Sequence, residues 1–165
     1  MNDDLSMSDP SPTQAHGTYI LNLWLPLPTE LTIGKLGMFP FAAGWYAYVG
    51  SAFGAGGLRG RLGHHLGHGE RLHWHIDYLS RSASIGEIWY LASETPQEHA
   101  WAAVLSTLPD VAIPISRFGA SDCKCPAHLF YCPTPPAFDA FHALTQAHGD
   151  VRCWQVIAKS GTTGL

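Results

Sequence analysis

The stretch WYAYVGSAFGAGGLRGRLGHHL, residues 45–66, decides the fold because it changes from a strand pattern to a helix pattern across glycines. Apolar alternation in residues 45–51 predicts a strand. The glycine-rich residues 52–57 predict a loop. Leu58, Leu62 and Leu66 then recur every four residues, which predicts an amphipathic helix. A strand that leads directly into a helix favours a domain of mixed α and β structure.

Further strands and helices surround this segment. Tyr19–Leu25 alternates an apolar set with a mixed set, which is the pattern of a half-buried strand. The other predicted strands are Leu31–Leu36, Ile85–Leu91 and Val151–Ile157. The other predicted helices are Leu72–Arg81, a helix capped by Thr95 and continuing through Leu108, and a helix of Phe138, Phe141 and Leu144 that Gly149 stops. We therefore expect an α+β domain with a small central antiparallel or mixed sheet flanked by helices.

The chain has 165 residues, of which 46% are hydrophobic, enough for one domain with a core of its own. We expect that domain to span residues 17–158, between a disordered leader at residues 1–16 and a flexible tail at residues 159–165. The uncharged run 36–58 is long enough to cross a bilayer, but its six glycines and Pro40 favour turns and strands. The sequence therefore predicts no membrane span. Four cysteines without an export signal indicate a reducing cytoplasm.

The charge is sparse, with 13% charged residues and a formal net charge of −4. This balance excludes a broad basic surface that wraps nucleic acid. Arginines and histidines nevertheless concentrate between residues 58 and 81, where Arg59, Arg61, Arg71 and Arg81 lie. The sequence thus permits a small local pocket that engages one or two phosphates.

Two short motifs frame the central segment: Gly17-Thr18-Tyr19 opens the first strand, and Tyr48-Val49-Gly50 precedes the arginine-bearing helix. With these motifs the chain resembles the GIY-YIG nuclease superfamily. It resembles more closely a branch of uncharacterised small domains, some of them fused to endonuclease III-type repair enzymes. The resemblance rests on GTYILNL, FAAGWYAYVGSAFGAGGLRGRLGHHL, RLHWHIDYL and FGASDCKCPAHLFY in that order. One departure is a long insertion between the tyrosine motifs, where typical members have a short hairpin.

The resemblance implies a catalytic set of two tyrosines, an arginine and a polar ring, which match Tyr19, Tyr48, Arg61 and His65. One tyrosine would act as general base or position the attacking water, and the arginine would stabilise charge on the phosphate. At a spacing of four residues, Arg61 and His65 lie side by side on a helix. Arg59 is the alternative arginine, since helix irregularity at Gly60 would exchange the two.

The resemblance also implies one metal-binding glutamate, which matches Glu98 in the first turn of the third helix. A single carboxylate with several waters suits Mg²⁺, or Mn²⁺ in its place. An acidic residue at this position also stabilises the helix dipole without any metal. Glu87 and Glu94 are the alternative ligands.

Several further residues are candidates for phosphate or substrate binding: Gly50, Arg59, His73, Ser121, Asp122 and His128. A glycine at position 50 permits close approach of the backbone to a phosphate or to its own neighbours. His73 and Asp77 stand four residues apart, which suits either an oriented imidazole–carboxylate pair or a simple surface hydrogen bond.

Four thiol and imidazole groups fall within ten residues: Cys123, Cys125, His128 and Cys132. Such a set would suit zinc, although the C-x-C spacing is tighter than usual. The alternative is a polar loop beside the nuclease-like site, with Ser121, Asp122 and His128 in it and the cysteines partly buried.

Three functions follow from these patterns. The first is a divalent-metal-dependent, endonuclease-like phosphodiesterase acting on branched or damaged DNA, in repair and with a repair protein as partner. The second is a catalytically inactive module of the same fold that binds nucleic acid or a repair partner. The third is a zinc-stabilised interaction domain.

Overall fold

The computed structural model describes residues 12–67 and 72–156. Its centre is a five-stranded sheet in which every neighbouring pair is antiparallel. The spatial order is β6-β4-β1-β5-β7. These strands are β1 (Gly17–Leu25), β4 (Gly44–Ala52), β5 (Ser84–Ala92), β6 (Leu129–Cys132) and β7 (Arg152–Gln155). The α+β class predicted from the sequence is confirmed, and no parallel pair occurs among the described strands.

Strand β1 lies in the middle of the sheet and is buried on both faces. Tyr19, Leu21 and Leu23 pack into one core, and Ile20 packs into a second core on the opposite face. The prediction of a half-buried strand is wrong for this reason, because helices cover both sides of the sheet.

The helices divide between the two faces. On the Tyr19 face lie α1 (Gly57–Leu66) and α2 (His75–Ser80), which contribute Leu58, Leu62 and Ile76 to that core. On the other face lie α3 (Glu98–Thr107) and α4 (Phe138–Thr145), whose Trp101 and Phe141 are fully buried. The leucine periodicity in residues 58–66 therefore predicts the correct helix and its buried face.

The insertion between the tyrosine motifs forms a separate antiparallel hairpin of β2 (Thr29–Ile33) and β3 (Gly37–Phe41). A short 3₁₀ turn at Gly34–Leu36 joins its strands, so the predicted strand Leu31–Leu36 ends three residues early. Ile33 and Phe41 are buried in the same core as Ile76 of α2. The hairpin thus packs on the face of the sheet that carries α1 and α2.

Other predicted elements differ from the observed ones at their ends. Helix α2 begins at His75 rather than Leu72, and α3 begins after Gln97 rather than after Thr95. Strand β6 was not predicted. Helix α4 is followed by a 3₁₀ turn that ends at Gly149, whose φ of 136° suits only glycine.

Residues 12–16 of the predicted leader contact the folded domain. The carbonyl oxygens of Thr13 and Ala15 accept the backbone N–H groups of Arg59 and Leu58, at the N-terminus of α1. Residues 1–11 of the leader and the predicted tail at 159–165 lie outside the described residues. Within the described ranges, no helix is both long and apolar enough to cross a membrane.

Candidate functional site

The centre of the candidate site is a hydrogen bond between β1 and α1. The Tyr19 hydroxyl lies 2.7 Å from Nε2 of His65, and both side chains are almost completely buried. Nδ1 of His65 faces Asp77 of α2, with 3.9 Å between Nδ1 and Oδ1. The tautomer with its proton on Nδ1 is favoured because that proton faces a carboxylate, which leaves Nε2 to accept the tyrosine proton.

Asp77 is held at the start of α2 by two backbone groups. Its Oδ2 accepts the N–H groups of His73 and Trp74, each at 2.8 Å, and its Oδ1 lies 3.1 Å from Nε2 of His64. The predicted imidazole–carboxylate pair of His73 and Asp77 is therefore wrong. His73 precedes helix α2 and binds Asp77 only through its backbone N–H, and its side chain is exposed. The imidazole that pairs with the Asp77 carboxylate is that of His64.

Burial decides the charge state of the central pair. It lowers the pKa of His65 from 6.5 to about 4, against the opposing attraction of Asp77, and it raises the pKa of Tyr19 well above 10. At neutral pH both groups are uncharged. Tyr19 is consequently a fixed hydrogen-bonding group rather than a ready general base.

We expect the buried His65 to make stability depend on pH. Its folded-state pKa lies below its unfolded value, so the unfolded state takes up the proton first as the pH falls. The contribution is fully present above pH 6.5 and is lost towards pH 4, by about 3 kcal/mol in the free energy of unfolding. Urea unfolding between pH 7 and pH 4 measures it. An equal loss of stability in His65→Gln would contradict the assignment to this ring.

Tyr48 lies on β4, next to β1, and forms part of the wall of an open polar cleft of about 260 Å³. Among the described residues, no hydrogen bond to its hydroxyl is found. Burial raises its pKa, the Glu98 and Asp77 carboxylates add to that rise, and Arg61 opposes it. The phenol is therefore neutral, and these three charges lie within electrostatic reach of it. The other cleft residues are His73, Trp74, His75, Gly119, Ser121 and Asp122.

Of the predicted substrate-binding residues, His73, Ser121 and Asp122 therefore share one cleft with Tyr48. His128 is buried and does not line this cleft, and Arg59 is exposed in the first turn of α1, where its Nε reaches the carbonyl oxygen of Pro12 at 3.4 Å. The structure thus separates these two from the cleft-lining group.

Gly50 has a packing role. It lies opposite Tyr19 in the β1–β4 register, and a Cβ atom there would overlap the Tyr19 ring near its hydroxyl. Of the two interpretations drawn from the sequence, the structure supports close packing against a neighbour. The missing side chain makes room for the tyrosine that binds His65.

We expect Gly50→Ala to lower the free energy of unfolding by about 1–3 kcal/mol, because the added methyl group overpacks the core beside Tyr19. Gly54→Ala is the matched control, since nothing lies within 4 Å of a Cβ at that position. Chemical denaturation of both variants measures the difference. Equal stability of the two variants would contradict the packing role.

Arg61 projects from α1 towards the tyrosines. Its guanidinium carbon lies 4.2 Å from the ring centre of Trp74, a cation–π contact. The positive charge of Arg61 near the Tyr19 hydroxyl opposes the rise in the Tyr19 pKa. No described acid forms an ion pair with it. Stacking on an aromatic face leaves part of the N–H edge of a guanidinium free for phosphate oxygens.

Glu98 is the first residue of α3, which packs on the face of the sheet opposite to Tyr19. Its side chain contacts Ser51, near the end of β4. Its Oε2 accepts the Ser51 hydroxyl at 3.0 Å, and its Oε1 lies 3.0 Å from Nδ1 of His128. Burial alone would raise its pKa, but His128, Ser51 and His99 together lower it. An ionised, partly exposed carboxylate with unused lone pairs fits Mg²⁺ or Mn²⁺.

The alternative glutamates lie in other surroundings. Glu87 accepts the indole N–H of Trp89, and Glu94 is exposed, 3.2 Å from the ring of His16. Neither contacts Ser51 or His128. Glu98 is thus the glutamate that the fold brings nearest to the tyrosine pair.

A group of thiols and imidazoles lies beside Glu98: His99, Cys123, Cys125 and His128, whose donor atoms are all within 4.8 Å of one another. The predicted set is wrong in one member. Cys132 is buried in β6, where it pairs with Trp45, and His99 of α3 takes its place in the group.

Sequence reasoning missed several residues of this region, among them His64, Trp74 and His99. His64 and Trp74 lie within two of the sequence segments that carry the resemblance, so the sequence offered a signal for both residues. His99 had none, because it lies 26 residues before Cys125 on a different element.

The fold and site define a small α+β domain with a buried tyrosine–histidine pair beside a polar cleft. The family model described as "Domain of unknown function DUF123" matches residues 18–150. The chain therefore belongs to this family. Neither a curated protein nor a solved structure matches it.

Proposed function

We propose that this domain is a divalent-metal-dependent phosphodiesterase of the GIY-YIG type that acts on DNA. One observation carries the proposal: Tyr48 lines an open polar cleft, the Tyr19–His65 pair lies on the same face of the sheet, and the charges of Arg61 and Glu98 lie within electrostatic reach of both tyrosines. A phenol that orients water, a cation and a carboxylate, all within electrostatic reach of one another, are groups that phosphodiester hydrolysis uses.

The role proposed for each side chain follows from how exposed that side chain is to the cleft. Tyr48 is the phenol at the cleft, so its free hydroxyl orients the attacking water. Tyr19 and His65 lie behind it and fix its surroundings. Arg61, stacked on Trp74, presents N–H groups to phosphate oxygens and stabilises the charge that develops there.

Glu98 is the residue that would hold Mg²⁺ or Mn²⁺, with Ser51 keeping its carboxylate in place. The bound cation would polarise the phosphate and assist the leaving oxygen. The remaining ligands would be water, as is usual for Mg²⁺ held by one carboxylate.

The test is a panel of single-stranded, nicked, flapped and branched DNA, incubated with the protein and Mg²⁺, Mn²⁺ or chelator. We expect cleavage of at least one substrate that stops when the metal is chelated. No cleavage of any substrate under any metal condition would overturn the proposal.

The sparse charge of the chain favours a second candidate, a catalytically inactive module that binds nucleic acid or a repair protein. In that case DNA binding would weaken steeply as salt rises, because phosphate contacts release counterions. Salt-dependent binding without hydrolysis would select this function over the first.

A further inference from the structure

The group formed by His99, Cys123, Cys125 and His128 is separate from the residues that face the polar cleft. We propose that these four side chains bind one zinc ion, which joins helix α3 to the loop before β6. The inference does not depend on nuclease activity, since the four ligands and the metal are different, although the Glu98 carboxylate contacts His128.

The donor set and its spacing fit Zn²⁺. Two thiolates and two imidazoles form the Cys₂His₂ set of structural zinc sites. Tetrahedral zinc with normal bond lengths places its ligand atoms about 3.3–3.8 Å apart. Here Sγ of Cys123 lies 3.4 Å from Nε2 of His128, and Nδ1 of His99 lies 2.9 Å from Sγ of Cys125. The pair at 2.9 Å would have to move apart and the most distant donors, at up to 4.8 Å, would have to move closer, so modest side-chain adjustments around one ion satisfy all four.

The loop that carries three of these ligands is held in shape by its own arginine. Arg117 donates from its two terminal nitrogens to the carbonyl oxygens of Cys125, at 2.7 Å, and Cys123, at 2.6 Å. The backbone of Phe118 is paired with that of His128. The two thiols therefore turn towards the same point from a fixed backbone, even though they are only two residues apart.

The surroundings of His128 favour metal ligation through Nε2. Its Nδ1 is buried, lies 3.0 Å from Oε1 of Glu98 and is not aligned for a hydrogen bond with it. A carboxylate on this side favours the tautomer with the proton on Nδ1, which leaves the Nε2 lone pair to face Cys123. A carboxylate behind a ligating histidine is the usual arrangement around zinc.

The alternative ligand, Cys132, provides the sharpest control. It lies in the same sequence cluster but belongs to the β6–β4 ladder and is not among the four grouped residues. His99 is exposed on α3, so its loss leaves the core intact. Zinc content measured by mass spectrometry should therefore be one ion per chain in the wild type and in Cys132→Ala, and should be lost in His99→Ala and Cys123→Ser.

Cobalt substitution reports the geometry independently of stability. We expect Co²⁺ to give the strong visible absorption of a tetrahedral site together with thiolate charge-transfer bands in the near ultraviolet. Both should disappear in His99→Ala, whose circular dichroism should match that of the wild type. Three results would overturn the proposal. The first is a full-length protein that takes up neither zinc nor cobalt, and the second is a Cys123–Cys125 disulfide in reducing buffer. The third is metal that is retained by His99→Ala but lost by Cys132→Ala.

Discussion

For the proposed nuclease, we expect Arg61→Ala to lower DNA cleavage by about 10³-fold or more, because an arginine that stabilises charge on a transferring phosphoryl group contributes rate factors of this size. The folded state should change little. The contact of Arg61 with Trp74 is a partly exposed cation–π pair, worth about 0.5–1 kcal/mol. The measurement is single-turnover cleavage of the preferred substrate at saturating metal, with thermal unfolding recorded in parallel.

Arg59→Ala is the matched control for this prediction. It lies on the same helix, two residues earlier, and carries the same charge, but its side chain reaches Pro12 at the edge of the domain. We expect it to keep near wild-type cleavage. Equal losses in the two variants would mean that general positive charge, rather than Arg61 at the tyrosine pair, supports the reaction.

Glu98→Gln should lower metal-dependent cleavage by about 10²–10³-fold, since the amide keeps the size of the side chain and removes the charge that would bind the cation. The amide oxygen can still accept the Ser51 hydroxyl, so the helix start remains supported. Cleavage measured as a function of Mg²⁺ concentration separates weaker metal binding from a lower maximum rate.

Glu94→Gln controls for the loss of one acidic group in the same region, and its exposed position predicts unchanged activity. Zinc content should be measured in both variants. A Glu98→Gln variant that cleaves like the wild type would refute the metal-binding role of Glu98 while leaving the zinc proposal untouched.

The sequence predicts those parts of the fold whose signal is local. The alternation of Trp45–Ser51 and the leucine repeat of Leu58–Leu66 place β4 and α1 to within one residue at either end. Strand β6 has no such signal, because its four residues LFYC follow a loop rich in cysteine and proline and depend on pairing with β4. That pairing lies between distant parts of the chain, which no local pattern encodes.

In the candidate site, too, the sequence predicts the residues that belong to local motifs and misses the pairings between distant parts of the chain. The positions of Tyr19, Tyr48, Arg61 and His65 followed from motifs that form a continuous resemblance. The pairing of Asp77 with His64 rather than His73 could not be foreseen, since it depends on α2 starting two residues after His73. His99 joins the cysteines only because α3 and the loop before β6 meet in space.

The β2–β3 hairpin has a consequence for how this family can vary. Ile33 and Phe41 pack in the same core as Ile76, and the turn at Gly34 lies against Tyr78, so the hairpin supports the helix that carries Asp77. Shortening the chain between the tyrosine motifs would expose that helix and release the carboxylate behind His65. We expect the hairpin and α2 to be inherited as one unit, retained together or lost together as lineages diverge.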